Sequence, residues 1–240
     1  MPALLATLAL ALSNAPAAGP APHPAPGAPP DLRELVTRCA EAYGGRAALD
    51  RHPVVVQEGT VTSAMRGGAE GRMTRIFARP VRLRVSIAYG GDVEQRVLDG
   101  WQAWREGIPV QGPGHLSMVL QAARLDLPYL LAAQVDALRD GGTAERDGQP
   151  LRVAVLPLGD GMTLAAEIDP ATARVLRAVT RLDAPGASLE FVTEFSDFRR
   201  VDGQLVPFRE ENVAQGRRTG STVLGRVEFL REAPTGAFRP

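Results

Sequence analysis

The 240-residue sequence has no lysine, one cysteine, three histidines and only 5% aromatic residues. A single cysteine, Cys39, excludes an intrachain disulfide and a multi-cysteine metal site. Every basic side chain is therefore Arg, and 27 of them balance 27 acidic residues. A net charge of zero disfavours nucleic acid as the main partner, because neutralising phosphates calls for a basic excess. The histidines, His23, His52 and His115, stand apart, with no second histidine at metal-ligand spacing. The chain has no G-x-S-x-G elbow, no H-E-x-x-H, no phosphate-binding Gly-rich loop and no C-x-x-C. The expectation is a protein without catalytic residues, metal or cofactor. No run is apolar enough to span a membrane; Val119 to Leu138 is the most apolar and contains Arg124, Asp126, Pro128 and Asp136.

What is present begins with an unusual N-terminus. Ala3 to Leu12 is apolar and followed by Ala15, Ala17 and Ala18, so residues 1–18 read as a signal peptide. The first basic residue is Arg33, so a disordered Ala/Pro tail stands as the alternative. Residues 19–30, GPAPHPAPGAPP, form a Pro-rich linker with nothing to pack a core. Residues 31–240 remain to fold, enough to bury a core without disulfide or metal staples. Cys39 sits within LVTRCAEAY, a helical pattern, far from any lipidation signal. Cleavage would thus release a soluble exported protein.

The folded part opens on a helix. Asp31 is placed as N-cap with Glu34 three residues on, and Leu32, Leu35, Val36, Cys39 and Ala40 follow at helical spacing until Gly44–Gly45. A short helical turn, Arg46 to Arg51, comes next. The period then changes to two. In VRLRVSIAY (81–89), Val81, Leu83, Val85, Ile87 and Tyr89 share one face; MTLAAEID and SLEFVTEF alternate likewise. Asp-Gly recurs at 99–100, 147–148, 160–161 and 202–203, where tight hairpin turns need positive φ. The pattern predicts ten strands, near 54–62, 71–78, 81–89, 93–98, 101–105, 151–157, 162–168, 174–182, 188–198 and 205–213, with an eleventh at 221–230. One segment, His115 to Asp140, is helix-like and broken at Pro128. Its apolar residues point in more than one direction, as in a buried helix, and the concave face of a curved sheet would bury it.

Two groups of residues invite a functional reading. Glu190, Glu194 and Asp197 form an acidic stretch; paired carboxylates could do acid/base work, but the alternation fits the wet face of a strand. Trp101 and Trp104 are either core or the rim of an apolar pocket.

Four phrases in order carry a resemblance: YGGRAAL (43–49), LDGWQAWRE (98–106), EIDPATARVLRAVTRL (167–182) and EFSDFRRVDGQLVPFRE (194–210). Together, over about 41–230, they resemble the LolA/LolB-like superfamily of periplasmic lipoprotein carriers. The resemblance implies an α+β, mainly β fold: an open, strongly curved antiparallel half-barrel of ten to eleven strands, with helices packed in its concave mouth. It also implies an apolar cavity for acyl chains and a single lipid-binding domain over 31–240. The classical carriers are smaller, and their functional arginines have no alignable counterpart, so no ligand residue is transferred.

The expected function is a non-enzymatic periplasmic carrier that ferries lipid or lipoprotein acyl chains as a monomer, with a possible membrane-bound donor or acceptor. Each CH₂ removed from water contributes about 0.8 kcal/mol. The alternative is an envelope sensor that uses the same cavity to regulate a membrane partner. Leu120, Leu127 and Leu131 of the helical insert are expected to plug the sheet and meet ligand beside Val85, Ile87, Trp101 and Trp104. A plug divided at Pro128 could be displaced by an acyl chain.

Overall fold

A computed structural model describes residues 31–184 and 187–240. The expected signal peptide and Pro-rich linker lie outside the described residues. Helix α1 (Leu32–Ala42) starts where the capping pattern placed it, with the Asp31 carboxylate accepting from the backbone N–H of Arg33 and Glu34. It ends at Gly44 and Gly45, both at positive φ. Helix α2 (Arg46–Arg51) follows. Six strands come next: β1 (Val54–Ser63), β2 (Ala69–Ala78), β3 (Arg82–Tyr89), β4 (Asp92–Asp99), β5 (Gln102–Arg105) and β6 (Ile108–Val110). The insert forms α3 (Pro113–Leu125), α4 (Tyr129–Ala133) and a 3₁₀ turn, Val135–Ala137. Seven further strands complete the chain: β7 (Arg139–Arg146), β8 (Gln149–Gly159), β9 (Met162–Ile168), β10 (Val175–Ala184), β11 (Ala187–Val201), β12 (Gln204–Ala214) and β13 (Arg217–Leu230).

All thirteen strands belong to one antiparallel sheet in the order β6-β5-β4-β3-β2-β1-β13-β12-β11-β10-β9-β8-β7. The first meander runs outward from β1 to β6 and the second runs inward from β7 to β13, which pairs with β1 at the centre. The sheet is open, and β6 and β7 are its edges. The insert therefore connects one free edge to the other. Helix α3 touches β3, β4 and β5 on one flank and β9 and β10 on the other. Contact with both flanks requires the sheet to curve around the helix.

The eleven expected strands are present, and two more were not expected. Both are the edges. β6 is three residues long and includes Pro109, whose missing N–H is tolerated at a sheet edge. β7 carries no fully buried residue and shifts register between Asp140 and Thr143, around Gly141 and Gly142. With no buried face, an edge strand imposes no apolar alternation, so periodicity could not show it. The helical part of the insert also stops earlier than expected, at Ala137; Arg139 and Asp140 already belong to β7.

Turn chemistry accounts for the tight spacing. Asp147–Gly148, Asp160–Gly161 and Asp202–Gly203 each have two positive φ angles and join strands through two residues, the backbone that matches strand twist in a hairpin. Asp99 is the exception, closing β4 while Gly100 takes the positive φ.

Three apolar clusters divide the molecule. In the first, Met118, Val119, Leu120 and Ala122 of α3 pack on the concave face against residues such as Phe77, Leu83, Met162 and Phe208. In the second, α1 and α4 (Leu35, Cys39, Leu131) pack over Ala154, Ala166 and Ile168. Cys39 is fully buried there, and burial pushes its thiol up to about 12, as expected of a core residue. The third lies behind the sheet, where Phe238 of the C-terminal segment covers Val54, Ala78 and Val97.

Candidate functional site

Between the concave sheet and α3 lies a cavity of about 640 Å³, within the range of small-ligand sites. Its apolar wall consists of Met73, Val85, Ile87, Leu120 and Phe191. Thr180, Thr193, Asn212, Ser221 and Thr222, from the opposite flank, make another wall polar. The resemblance implied an apolar cavity; the observed one is lined by charges as well. The reason lies in strand parity. Arg75 alternates in phase with Met73 and Phe77, and Glu210 in phase with Val206 and Phe208, so both charges point inward among apolar neighbours.

These two residues meet at the floor. Arg75 donates to both carboxylate oxygens of Glu210, at 2.6 and 3.2 Å, and through Nε to Gln57 at 2.6 Å. Arg124 of α3 donates to the same carboxylate at 3.1 Å. Arg75 and Glu210 are 1% and 2% exposed, so the trio is desolvated. Burial alone would raise the Glu210 carboxyl, but the two guanidinium groups outweigh it and hold the group at about 2. Arg124 is thereby fastened to the sheet by a charge-assisted bond.

The cavity continues toward the end of the sheet where β1–β2 and β3–β4 turn. Here Glu94 is shared by three arginines: Arg105 at 3.2 Å, Arg96 at 3.5 Å and Arg66 at 3.9 Å. Arg66 also lies over the Tyr89 ring, at 4.5 Å.

A second, smaller void of about 90 Å³ sits between the insert and the sheet beside Leu127, Phe77, Phe195 and Phe229. Next to it Arg79 holds the break in the insert. It donates to Asp126, which caps α3, at 2.5 Å, and to the carbonyls of Leu49 and His52. The Tyr129 ring faces the same guanidinium at 4.1 Å. Burial raises Asp126 to about 7, against the pull of Arg79.

The residues expected to meet ligand separate into three groups. Val85, Ile87 and Leu120 line the main cavity, and Leu127 lines the smaller void. Leu131 lines neither. It is fully buried against α1, so it is ordinary core rather than a movable plug. The tryptophans also lie elsewhere. Trp104 pairs with Val97, whose face is opposite to that of Leu98, and it packs with Ile76 in the cluster behind the sheet. Trp101 occupies the β4–β5 turn, 70% exposed, with its ring 6.1 Å from that of His115.

The acidic stretch of β11 is distributed among separate ion pairs: Glu190 with Arg181, Glu194 with Arg177, and Asp197 with Arg199. His52 Nδ1 lies 3.3 Å from the Gln204 amide. Among the described residues no group of three or more His, Cys, Asp or Glu is placed to hold a metal, and no helix is long and apolar enough to cross a membrane.

Sequence reasoning missed Arg75, Arg124 and Glu210. Their signal was present as charged residues on the apolar face of RMTRIFA and LVPFRE and within an otherwise apolar helix.

No protein-family model and no curated protein matches the chain. Solved structures do. A LolA superfamily protein from Nitrosomonas europaea, 11% identical, superposes with a TM-score of 0.54 over 87% of this chain and 97% of that one. The fold is LolA-like. Two other similar structures are a putative outer membrane lipoprotein-sorting protein domain from Vibrio parahaemolyticus and a DUF1329 family protein from Desulfovibrio piger. Their TM-scores are 0.44 and 0.45, with 12% and 14% identity. Each match covers 86% of this chain and 95% of the other.

Proposed function

We propose that the protein is a non-enzymatic carrier of the bacterial periplasm, which holds the acyl chain of a lipid or lipoprotein between the concave sheet and α3. One observation carries the reading: a cavity lies between the concave sheet and α3, with Met73, Val85, Ile87 and Leu120 along one side of it. Such a wall binds hydrocarbon without directional bonds, at about 25 cal/mol per Å² buried. Release then needs a competing apolar phase or a partner, as suits transfer rather than storage. Export through the signal peptide at 1–18 is part of the same reading.

The test is native mass spectrometry of protein isolated from an envelope extract, together with displacement of a fluorescent acyl probe. Co-purified lipid and saturable probe displacement are expected. Lipid-free protein in a tight complex with a membrane regulator would overturn the carrier reading in favour of the sensor.

A further inference from the structure

The charge distribution in the cavity is asymmetric. Five arginines, 66, 75, 96, 105 and 124, line it, but only two carboxylates, Glu94 and Glu210. Glu210 is saturated by Arg75 and Arg124. The remaining three guanidinium groups have Glu94 in common, and Arg66 reaches Asp92 on the exposed rim at 3.6 Å.

Sheet register explains how the charges gather. Arg75 pairs with Val85, Val85 with Arg96, and Arg96 with Arg105. This row therefore runs straight across β2–β5 on the concave side and contains three arginines. Directly opposed like charges on neighbouring strands are destabilising, so Arg96 facing Arg105 is a local cost that Glu94 offsets only once. Arg96 shows the shortfall most clearly. Its Nε is buried and stands 3.5 Å from the Glu94 carboxylate without forming a hydrogen bond to it, while one Nη reaches Gln121 at 3.4 Å. Burial, with Arg105 and Arg75 nearby, pulls its guanidinium below the ordinary value. Buried N–H groups are normally hydrogen-bonded; with Glu94 divided among three arginines, a second anion is the acceptor that fits this environment.

We infer that the cavity takes an amphiphile with an acidic head, a carboxylate or phosphate, which pairs with Arg96, Arg105 and Arg66 while its chain lies along Val85, Ile87 and Leu120. The inference rests on the carrier reading and narrows its ligand class. Arginine suits the task because its planar fork pairs with carboxylate and phosphate in two-point geometry.

The test compares three probes with one twelve-carbon chain: dodecanoate, lauroyl lysophosphatidate and the neutral monolauroylglycerol. Binding is measured by calorimetry at low and high salt. At low salt at least one acidic probe is expected to bind tenfold or more tightly than the neutral one. The more tightly bound acid identifies the head as carboxylate or phosphate, and added salt should narrow the gap. Arg96→Gln should reduce the preference to within about threefold, and Arg96→Lys should restore part of it. Arg105→Gln, at a half-exposed side chain, supplies a second variant that leaves the core untouched and should also weaken the preference. Equal binding of all three probes overturns the acidic-head inference but leaves the carrier reading standing. Binding of none overturns both. Inorganic phosphate binding as tightly as the lysophosphatidate would overturn the amphiphile and leave an anion site.

Discussion

Arg124 on α3 donates to Glu210 on β12 at 3.1 Å, an ion pair that ties the crossing helix to the floor of the sheet. Arg75 holds the same carboxylate from β2, so the helix is fastened to a site that stays paired without it. That asymmetry separates the two partners' roles. Arg124 positions the helix, and Glu210 neutralises two buried cations.

Glu210→Gln should therefore be the more damaging substitution. Removing the shared partner of a buried ion pair typically costs about 3–5 kcal/mol, because it leaves an uncompensated charge. Arg124→Leu leaves Glu210 with Arg75 and adds apolar surface, so its cost should be smaller. Urea unfolding of both variants checks the order. Equal losses would mean that the helix, not the charge, is what Glu210 supports.

The two perturbed carboxyls act in opposite directions with pH. Glu210 is held at about 2, below its ordinary 4.5, so its contribution is present above about 4.5 and lost as pH falls toward 2. Asp126 is raised from 3.8 to about 7, so its contribution is complete below about 4 and lost as pH rises toward 7. Asp126→Asn should consequently gain stability relative to the native chain between pH 4 and 7. Thermal unfolding across that range is the measurement. A flat difference would show that Arg79 keeps Asp126 ionised throughout.

Leu131 and Leu120 should behave differently despite the same side chain and similar burial. Leu131 is packed on all sides, so Leu131→Ala should cost about 2–5 kcal/mol and leave acyl-probe binding per folded molecule unchanged. Leu120 faces the cavity, where a void can be filled by ligand or water. Leu120→Ala should lose less stability and shift probe affinity more. Reversal of that order would return the ligand contact to α4.

The carboxylates of β11 should be dispensable. The pairs with Arg181 and Arg199 are exposed and screened by solvent, and Arg177, the half-buried partner of Glu194, keeps Glu167 at 2.6 Å without it. Glu190→Gln, Glu194→Gln and Asp197→Asn should leave folding and probe binding close to native. Loss of function in a folded variant would revive an acid/base site on this strand.

Much of the architecture was written locally. Period-two alternation marked the eleven strands with a buried face, Asp-Gly pairs marked three hairpins, and Asp31 marked the start of α1, because each depends only on neighbouring residues and their backbone preferences. The edges β6 and β7 left no such trace, since neither has a buried face to impose alternation. The site was partly legible: Val85, Ile87 and Leu120 were recognisable as inward-facing, but inward-facing does not mean ligand-facing. Only the tertiary structure decided that Leu131 meets α1, that Trp104 lies behind the sheet, and that Trp101 sits at an exposed turn. It alone brought Arg75, Arg124 and Glu210 together, from positions 49 to 135 residues apart. Alternation fixes which side of a strand a side chain occupies; which partner fills that side depends on sheet curvature and the path of the insert, and both arise from contacts distant in sequence.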